Sequence, residues 1–363
     1  MKTHIEIPCH WNKAILDEII AQNKEDSSNN IFISELYGVL PKGILGHGRS
    51  QSTLSKISPD EAIEFRKYVK QKGIKFNYLL NSPQFIEKGT KLEEVIEYID
   101  WVGNELKPDA VIITSYELMQ IIRNKFKDLP IHISTIARIS KEKDIEKYLD
   151  INPERIIVQH DVNRNFEDLK EIIKRGQKLE INIELMLTES CLRRCSYMQD
   201  HYNLVGIGKD DKLFHFKCNK EKVLFPREIL KSNFIRPEDI SFYEGMGVNN
   251  FKITGRSKKA EWLPLVTKAY LERDFKGNII RLLGIDPNIN AEKWIYINNK
   301  ALNGFLENFP RTGNVDDENK YCDYWAIKLY QQGNLYILGF EYKIDDEKLI
   351  CKKGLSKLNK IYG

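Results

Sequence analysis

The chain has 363 residues, 42% of them hydrophobic and 30% charged, a globular balance that leaves room for one large α/β barrel with an appendage or for two domains. Lys+Arg 56 against Asp+Glu 52 leaves a net charge of only +4, so no global field marks nucleic acid or an anionic membrane as partner, although a local basic patch stays open. The segment Met1 to Pro8 lacks the apolar core of a secretory signal, and no stretch reaches the roughly 20 apolar residues that span a bilayer. These features predict a cytoplasmic protein whose six cysteines are reduced thiols rather than a disulfide framework.

Taken in order, the chain alternates short β-branched runs with amphipathic segments. Ile5 to Cys9 reads as a strand and Ala14 to Ile20 as a helix. Ile31 to Glu35 is the second strand, followed by a glycine-rich loop from Tyr37 to Arg49 whose His47 and Arg49 can reach a ligand. Ser58-Pro59-Asp60-Glu61 opens a helix, with serine at the cap and proline in the first turn. Gly73 to Leu80 is the third strand, and Leu92 to Leu106 has helical spacing. Pro108 to Thr114 is the fourth strand, its apolar run typical of a parallel strand covered on both faces. A helix near Tyr116 to Phe126 precedes strands at Ile131 to Thr135 and Arg155 to Gln159, which flank a charged helix. Phe166 to Arg175 is helical, and Ile181 to Leu187 is the seventh strand.

The eighth strand, Val248 to Thr254, lies between helices at Pro237 to Glu244 and Lys258 to Asp274. Eight strands, nearly all followed by helices, predict a (β/α)8 TIM-type barrel over residues 1–275. A doubly wound open sheet is the alternative, but Gly43, Gly46 and Gly48 lack the spacing of a dinucleotide fingerprint. Residues 276–363, turn-rich and aromatic, form a smaller C-terminal appendage.

In a barrel the site lies at the C-terminal strand ends. Cys9, His10, Glu35, Asn81, Thr114, Arg138, His160, Thr254 and Arg256 occupy such places, where polar residues also cap helices and satisfy loops. Arg49, Arg138 and Arg256 suit the clamping of carboxylate or phosphate, because guanidinium is a rigid fork. Glu35 and His160 are the acid–base candidates. Glu184, inside the seventh strand, reads as a buried carboxylate in need of Lys252 or Arg256.

The seventh strand leads into Cys191-Leu-Arg-Arg-Cys195, with Cys218 further on. Thiolates are soft ligands that suit an iron–sulfur cluster or zinc. The C-x3-C spacing is half of a radical-SAM motif, but Met198 stands where its third cysteine belongs. A buried cysteine often packs merely as a small hydrophobe; here Arg193 and Arg194 speak against a core setting. A fourth thiol comes either from Cys322, folding back across the mouth, or from Cys9. His201 is placed to hydrogen-bond a cluster sulfur or a ligand. Alternatively, Cys191 with His201 forms a nucleophile–base pair, whereas no His-Glu-x-x-His of a zinc protease occurs. Arg193, Arg194, Lys217, Lys220 and Lys222 form either an RNA-facing surface or a solvated loop.

Glu35-Leu-Tyr-Gly38, Gly48-Arg49, Phe76-Asn-Tyr78, Ser134-Thr-Ile-Ala-Arg138, Cys191-x3-Cys195 with His201-Tyr-Asn-Leu204, Ile235-Arg-Pro-Glu-Asp239 and Phe251-Lys-Ile-Thr-Gly-Arg256 together resemble the collagenase-like peptidase family U32, from the first strand to about residue 325. The resemblance implies a barrel and a [4Fe-4S] cluster on Cys191, Cys195 and Cys218, with Cys322 as the fourth ligand and Cys9 as runner-up. It implies oxygen-independent hydroxylation of an RNA base or of a small aromatic or isoprenoid metabolite. Catalysis would fall to Glu35, His160 and Arg256, and substrate binding to Arg49, Asn81, Arg138, His201 and Asn203. The partners implied are a small-molecule substrate or tRNA, and an electron donor or a second subunit of the same family. A peptidase, or a binding protein stabilised by zinc, is the alternative.

Overall fold

The structure, a computed structural model, describes residues 2–25, 30–41, 43–46, 48, 54–83, 91–206, 209, 211–284 and 290–362. Eight parallel strands close into a barrel in sequence order: β1 (Thr3–Pro8), β2 (Ile31–Gly38), β3 (Lys75–Leu80), β4 (Ala110–Ile113), β5 (Ile131–Ile133), β6 (Arg155–Ile157), β7 (Asn182–Met186) and β8 (Asn250–Lys252), with β8 paired to β1. The closed order rules out the open sheet. Around it lie α1 (Lys13–Glu25), α2 (Pro59–Gln71), α3 (Leu92–Asp100), α4 (Tyr116–Lys125) and α5 (Phe166–Leu179). The long excursion after β7 carries α6 (Met198–Gly206), α7 (Lys212–Leu224) and α8 (Arg227–Lys231), after which α9 (Ile240–Gly245) leads to β8 and α10 (Leu263–Glu272) follows it.

Local signals explain much of this. Ser58 Oγ accepts from the Glu61 amide at 3.2 Å while the Glu61 carboxylate accepts from the Ser58 amide at 2.8 Å, and Pro59 fills the first turn of α2, a reciprocal cap that satisfies two otherwise orphaned donors. The helix expected over 92–106 is split, since residues Trp101–Leu106 widen into a π turn that ends at Lys107 with φ 50°. The charged helix expected between the fifth and sixth strands is a 3-10 segment, Glu142–Ile151.

Residues after 275 supply two small antiparallel pairs, β9 (Ile295–Ile297) with β10 (Leu335–Ile337) and β11 (Glu341–Asp345) with β12 (Lys348–Lys353), and the helices α11 (Val315–Gln331) and α12 (Ser356–Tyr362). The sequence reading missed α11. Its start is well specified: Asn314 caps the Asp316 and Asp317 amides, and Asp316, Asp317 and Glu318 sit at the positive end of the helix dipole. No helix among the described residues is long and apolar enough to cross a membrane.

The barrel interior departs from the usual filling of Val, Ile and Leu. The β1–β2 register advances by one residue between Ile5 and Glu6, so Glu6 stands beside Glu35 rather than Ser34, the effect of a bulge. Arg155 grips both oxygens of Glu35 at 2.7 and 3.0 Å, and its Nη1 lies 3.5 Å from Glu184. Lys252 pairs with Glu6, and the Asn77 amide donates to Glu6 and Glu35 at 2.6 Å each. All of these side chains are buried.

Candidate functional site at the barrel mouth

Above this charged layer a cavity opens at the C-terminal strand ends, lined from the barrel by Tyr37, Asn81, Ile112, His160, Met186, Lys252 and Arg256 and from the excursion by Cys191, Cys195, His201, Asp211, His215 and Cys218. Among the residues of the charged layer only Lys252 reaches it, its ammonium 3.5 Å from the Tyr37 ring centroid.

The thiol-bearing loop is held from several sides. The Ser190 and Cys191 amides donate to the Glu189 carboxylate at 2.9 and 3.0 Å. Lys222 and Ser232 both donate to the Ser190 carbonyl. Arg194, at φ 53°, turns its amide onto Asp161 at 3.1 Å. Arg193 points inward, its side chain 0% exposed, and meets Glu318 at 2.7 and 2.9 Å and Asn233 at 2.8 Å. The same carboxylate takes Arg194 at 2.6 Å. Glu318 is thus forked between two adjacent arginines, which satisfies the charge of a guanidinium removed from water.

This placement corrects two expectations. Arginine did not mark the loop as solvent-facing, because Arg193 is buried against a carboxylate from α11, 125 residues away in sequence. The five basic residues also do not form one surface: Arg193 and Lys222 are buried, Arg194 is paired, and only Lys220 among the lysines of that group stands exposed.

Cys195 and Cys218 meet through a sulfur hydrogen bond, which lowers the Cys195 pKa and raises that of Cys218. Burial and the neighbouring Glu189 carboxylate push the Cys191 thiol well up. Cys322 is not brought to these three. It lies on α11, one turn beyond Glu318, 0% exposed, its thiol pushed up to about 12 by burial, and it does not line the cavity. Cys9 is likewise buried away from the cavity, its thiol pushed up to about 12 by burial.

The other expected residues divide in the same way. His160 lines the cavity, 1% exposed, with neither ring nitrogen hydrogen-bonded and Asp161 3.8 Å away. Arg256 lines it too, its guanidinium 5.8 Å from the Tyr37 ring centroid, and Asn81 does so while accepting from Thr114 at 3.0 Å. Glu35 does not reach the cavity: burial alone would raise its pKa, but the bidentate Arg155 holds it down at about 2, a spent ion-pair partner rather than a proton carrier. Arg138 is exposed and bonds Gln199 of α6 at 2.8 Å. Asn203 accepts from Gln199 at 3.1 Å and does not line the cavity. Arg49 lies outside the described residues, as does His47.

His201 does line the cavity, but its partner was unforeseen. Its Nε2 lies 3.1 Å from Asp211 Oδ2, and His215 Nε2 lies 3.1 Å from the same oxygen. The sequence held a signal for this, since Asp211 and His215 stand four apart on one helical face.

A closed parallel barrel with a thiol-bearing excursion after its seventh strand defines the class: a TIM-type protein whose mouth is roofed by its own β7–α7 insert. The chain belongs to peptidase family U32, whose pattern matches residues 49–305. It is 26% identical over 330 residues to the uncharacterized protease MJ1657 of Methanocaldococcus jannaschii, a likeness covering 87% of this chain and 94% of that protein. It is 28% identical over 125 residues to tRNA hydroxylation protein P of Helicobacter pylori, covering 33% of this chain and 29% of that one. The solved structure of the U32 peptidase Mk0906 superposes with a TM-score of 0.49 at 14% identity, over 70% of this chain and 92% of that one.

Proposed function

We propose that the protein is a modifying enzyme that holds a [4Fe-4S] cluster on Cys191, Cys195 and Cys218 and acts on an aromatic ring, in an RNA base or a small metabolite, by oxygen-independent hydroxylation. The observation that carries this reading is the convergence of three thiols on one cavity at the catalytic end of a barrel. The donor set fits the group: three soft sulfur ligands, with Lys222 beside them to offset negative charge, leave one iron for a ligand other than cysteine. Local likeness to a tRNA hydroxylation protein points the same way.

When bound, such a cluster supplies electron transfer and a Lewis-acidic iron. The chain's own residues do the rest. Tyr37, Ile112 and Met186 offer an apolar seat for a planar ring, Arg256 a fork for a carboxylate or phosphate, and Asn81 an amide to fix its edge. His160, buried without a hydrogen-bonded partner, is the group positioned to take or give a proton. Converting a ring C–H to C–OH removes two electrons from the ring, so turnover calls for an organic co-substrate that gives up the oxygen and is reduced in doing so; an electron donor, a redox protein or a second subunit of the same family, would serve only to set the oxidation state of the bound cluster.

The peptidase reading needs a thiol in contact with a base. Among the described residues, the Cys191 thiol turns to Glu189, Cys195 meets Cys218, and His201 is engaged with Asp211. The test is anaerobic purification followed by iron, sulfide and visible-absorbance analysis. About four irons per chain, lost in Cys191→Ala, Cys195→Ala and Cys218→Ala but kept in Cys322→Ala and Cys9→Ala, is the expected result. A parent that stays colourless after reconstitution and cleaves peptides would replace this reading with the hydrolase.

A further inference from the structure

We propose that His201, Asp211 and His215 form a second metal site, separate from the three thiols, for a borderline divalent cation of the zinc or ferrous type. The three ligand atoms lie within 4.8 Å of one another, and the two Nε2 atoms each lie 3.1 Å from one Asp211 oxygen. A tetrahedral site with metal–nitrogen bonds of about 2.0–2.1 Å sets its ligands roughly 3.3 Å apart, so both Asp211 contacts are already near that spacing and metal binding would draw the two imidazoles together.

Two features go beyond proximity. Asp211 occupies the N-cap position of α7, where an aspartate ordinarily accepts from the helix amides, yet its side chain makes no cap hydrogen bond and both histidines converge on it instead. A cap worth about 1 kcal/mol is thus forgone. The rings are also held in place: His201 stacks on Phe214, centroids 5.1 Å apart at 16°, and His215 stands edge-on to His201 at 5.5 Å. His201 comes from α6, Asp211 stands at the N-cap position of α7 and His215 lies within it, so the ligands come from two successive helices.

Two imidazoles and a carboxylate suit zinc or ferrous iron better than magnesium or calcium, which prefer all-oxygen shells. Three protein ligands leave at least one coordination position open, the arrangement of catalytic rather than structural sites. All three residues line the same cavity as the thiols, and His215 lies three residues before Cys218 on the same face of α7. The open position therefore faces the space where substrate binds, and the ligand it would take there is an oxygen donor: a carboxylate, a phosphate or a ring carbonyl. None of this requires a cluster on the cysteines.

The experiment uses the full chain with Cys191, Cys195 and Cys218 changed to Ser, titrated with cobalt(II) under anaerobic conditions. The expected result is one cobalt per chain, with visible d–d bands and no thiolate charge-transfer band, displaced by zinc but not by magnesium. Asp211→Asn and His215→Ala should each weaken binding at least about tenfold. A serine variant that is folded by circular dichroism but binds no cobalt, or binding that His201→Ala and His215→Ala leave unchanged, overturns the site. Should the serine variant fail to fold, the chain with its cysteines intact decides by zinc count: His201→Ala/His215→Ala is expected to hold one ion fewer than the parent, and an equal count overturns the site. Loss of iron in the cysteine variants bears only on the cluster, so the two readings fail separately.

Discussion

Two polar layers are stacked along the barrel axis, and they differ in what their charges face. In the lower one, the buried Glu6, Glu35 and Glu184 oppose Arg155 and Lys252, of which only Lys252 reaches the cavity, and almost every charge has a partner within the layer. In the upper one, thiols, histidines and an arginine surround a cavity. A buried ion pair gains little net stability, because desolvation consumes most of the attraction, but breaking one is costly. The lower layer thus fixes the barrel's strands in register, while the upper layer leaves its groups turned toward a ligand.

The largest effect is expected on removing the shared cation of the lower layer. Arg155→Met strands the Glu35 carboxylate without compensation and should cost about 3–5 kcal/mol in urea unfolding, with the companion change Glu35→Gln recovering much of the loss. A small effect of Arg155→Met would show that the two layers do not differ in this way.

A pH dependence comes next. Three carboxylates against two cations leave one negative charge in excess, and Glu184, which makes no hydrogen bond, carries the proton: burial first, then the Glu6 charge, raises its pKa from 4.5 to about 8. A raised folded pKa means that the stabilisation is complete below the unfolded value and is lost as pH rises toward the folded one. Parent stability should therefore fall relative to Glu184→Gln between about pH 4.5 and 8, by at most about 1.4 kcal/mol per pH unit. Parallel stability curves for the two proteins would place the proton elsewhere.

Smaller effects separate the cysteines. Cys322→Ala opens a void in a packed helix contact and should cost about 1 kcal/mol while leaving metal content unchanged. Cys218→Ala should show the reverse, metal lost with less change in stability. Smallest of all, Arg138→Ala, exposed and bonded to Gln199 at 2.8 Å, should stay within about 0.5 kcal/mol in thermal unfolding.

The barrel was legible because its strands announce themselves as short β-branched runs at crossover spacing, and the thiol pair because C-x3-C is a compact local pattern. What escaped depended on contacts far apart in the chain. Glu184 was expected to need Lys252 or Arg256; the β1–β8 register sets Lys252 beside Glu6 instead, and Arg155 is the cation that faces Glu184. Cys322 looked available as a fourth ligand because sequence counts thiols without orienting them, whereas α11 turns it into the core. The helix itself went unread among aromatic residues. Asp211 and His215 were passed over because their partner, His201, lies on another helix.

Glu318 gives the thiol loop a history as well as a shape. Cys191 and Cys195 flank two arginines whose shared carboxylate arrives 125 residues after Arg193. During synthesis from N- to C-terminus the barrel strands and all three cavity cysteines leave the ribosome before that carboxylate exists. Until α11 docks, Arg193 lacks the carboxylate it is buried against, and the loop between the two thiols lacks one of its anchors. Any metal the three thiols take up is therefore expected only after α11 has been made and has docked, which puts a late segment of the chain in control of a site built on an earlier one.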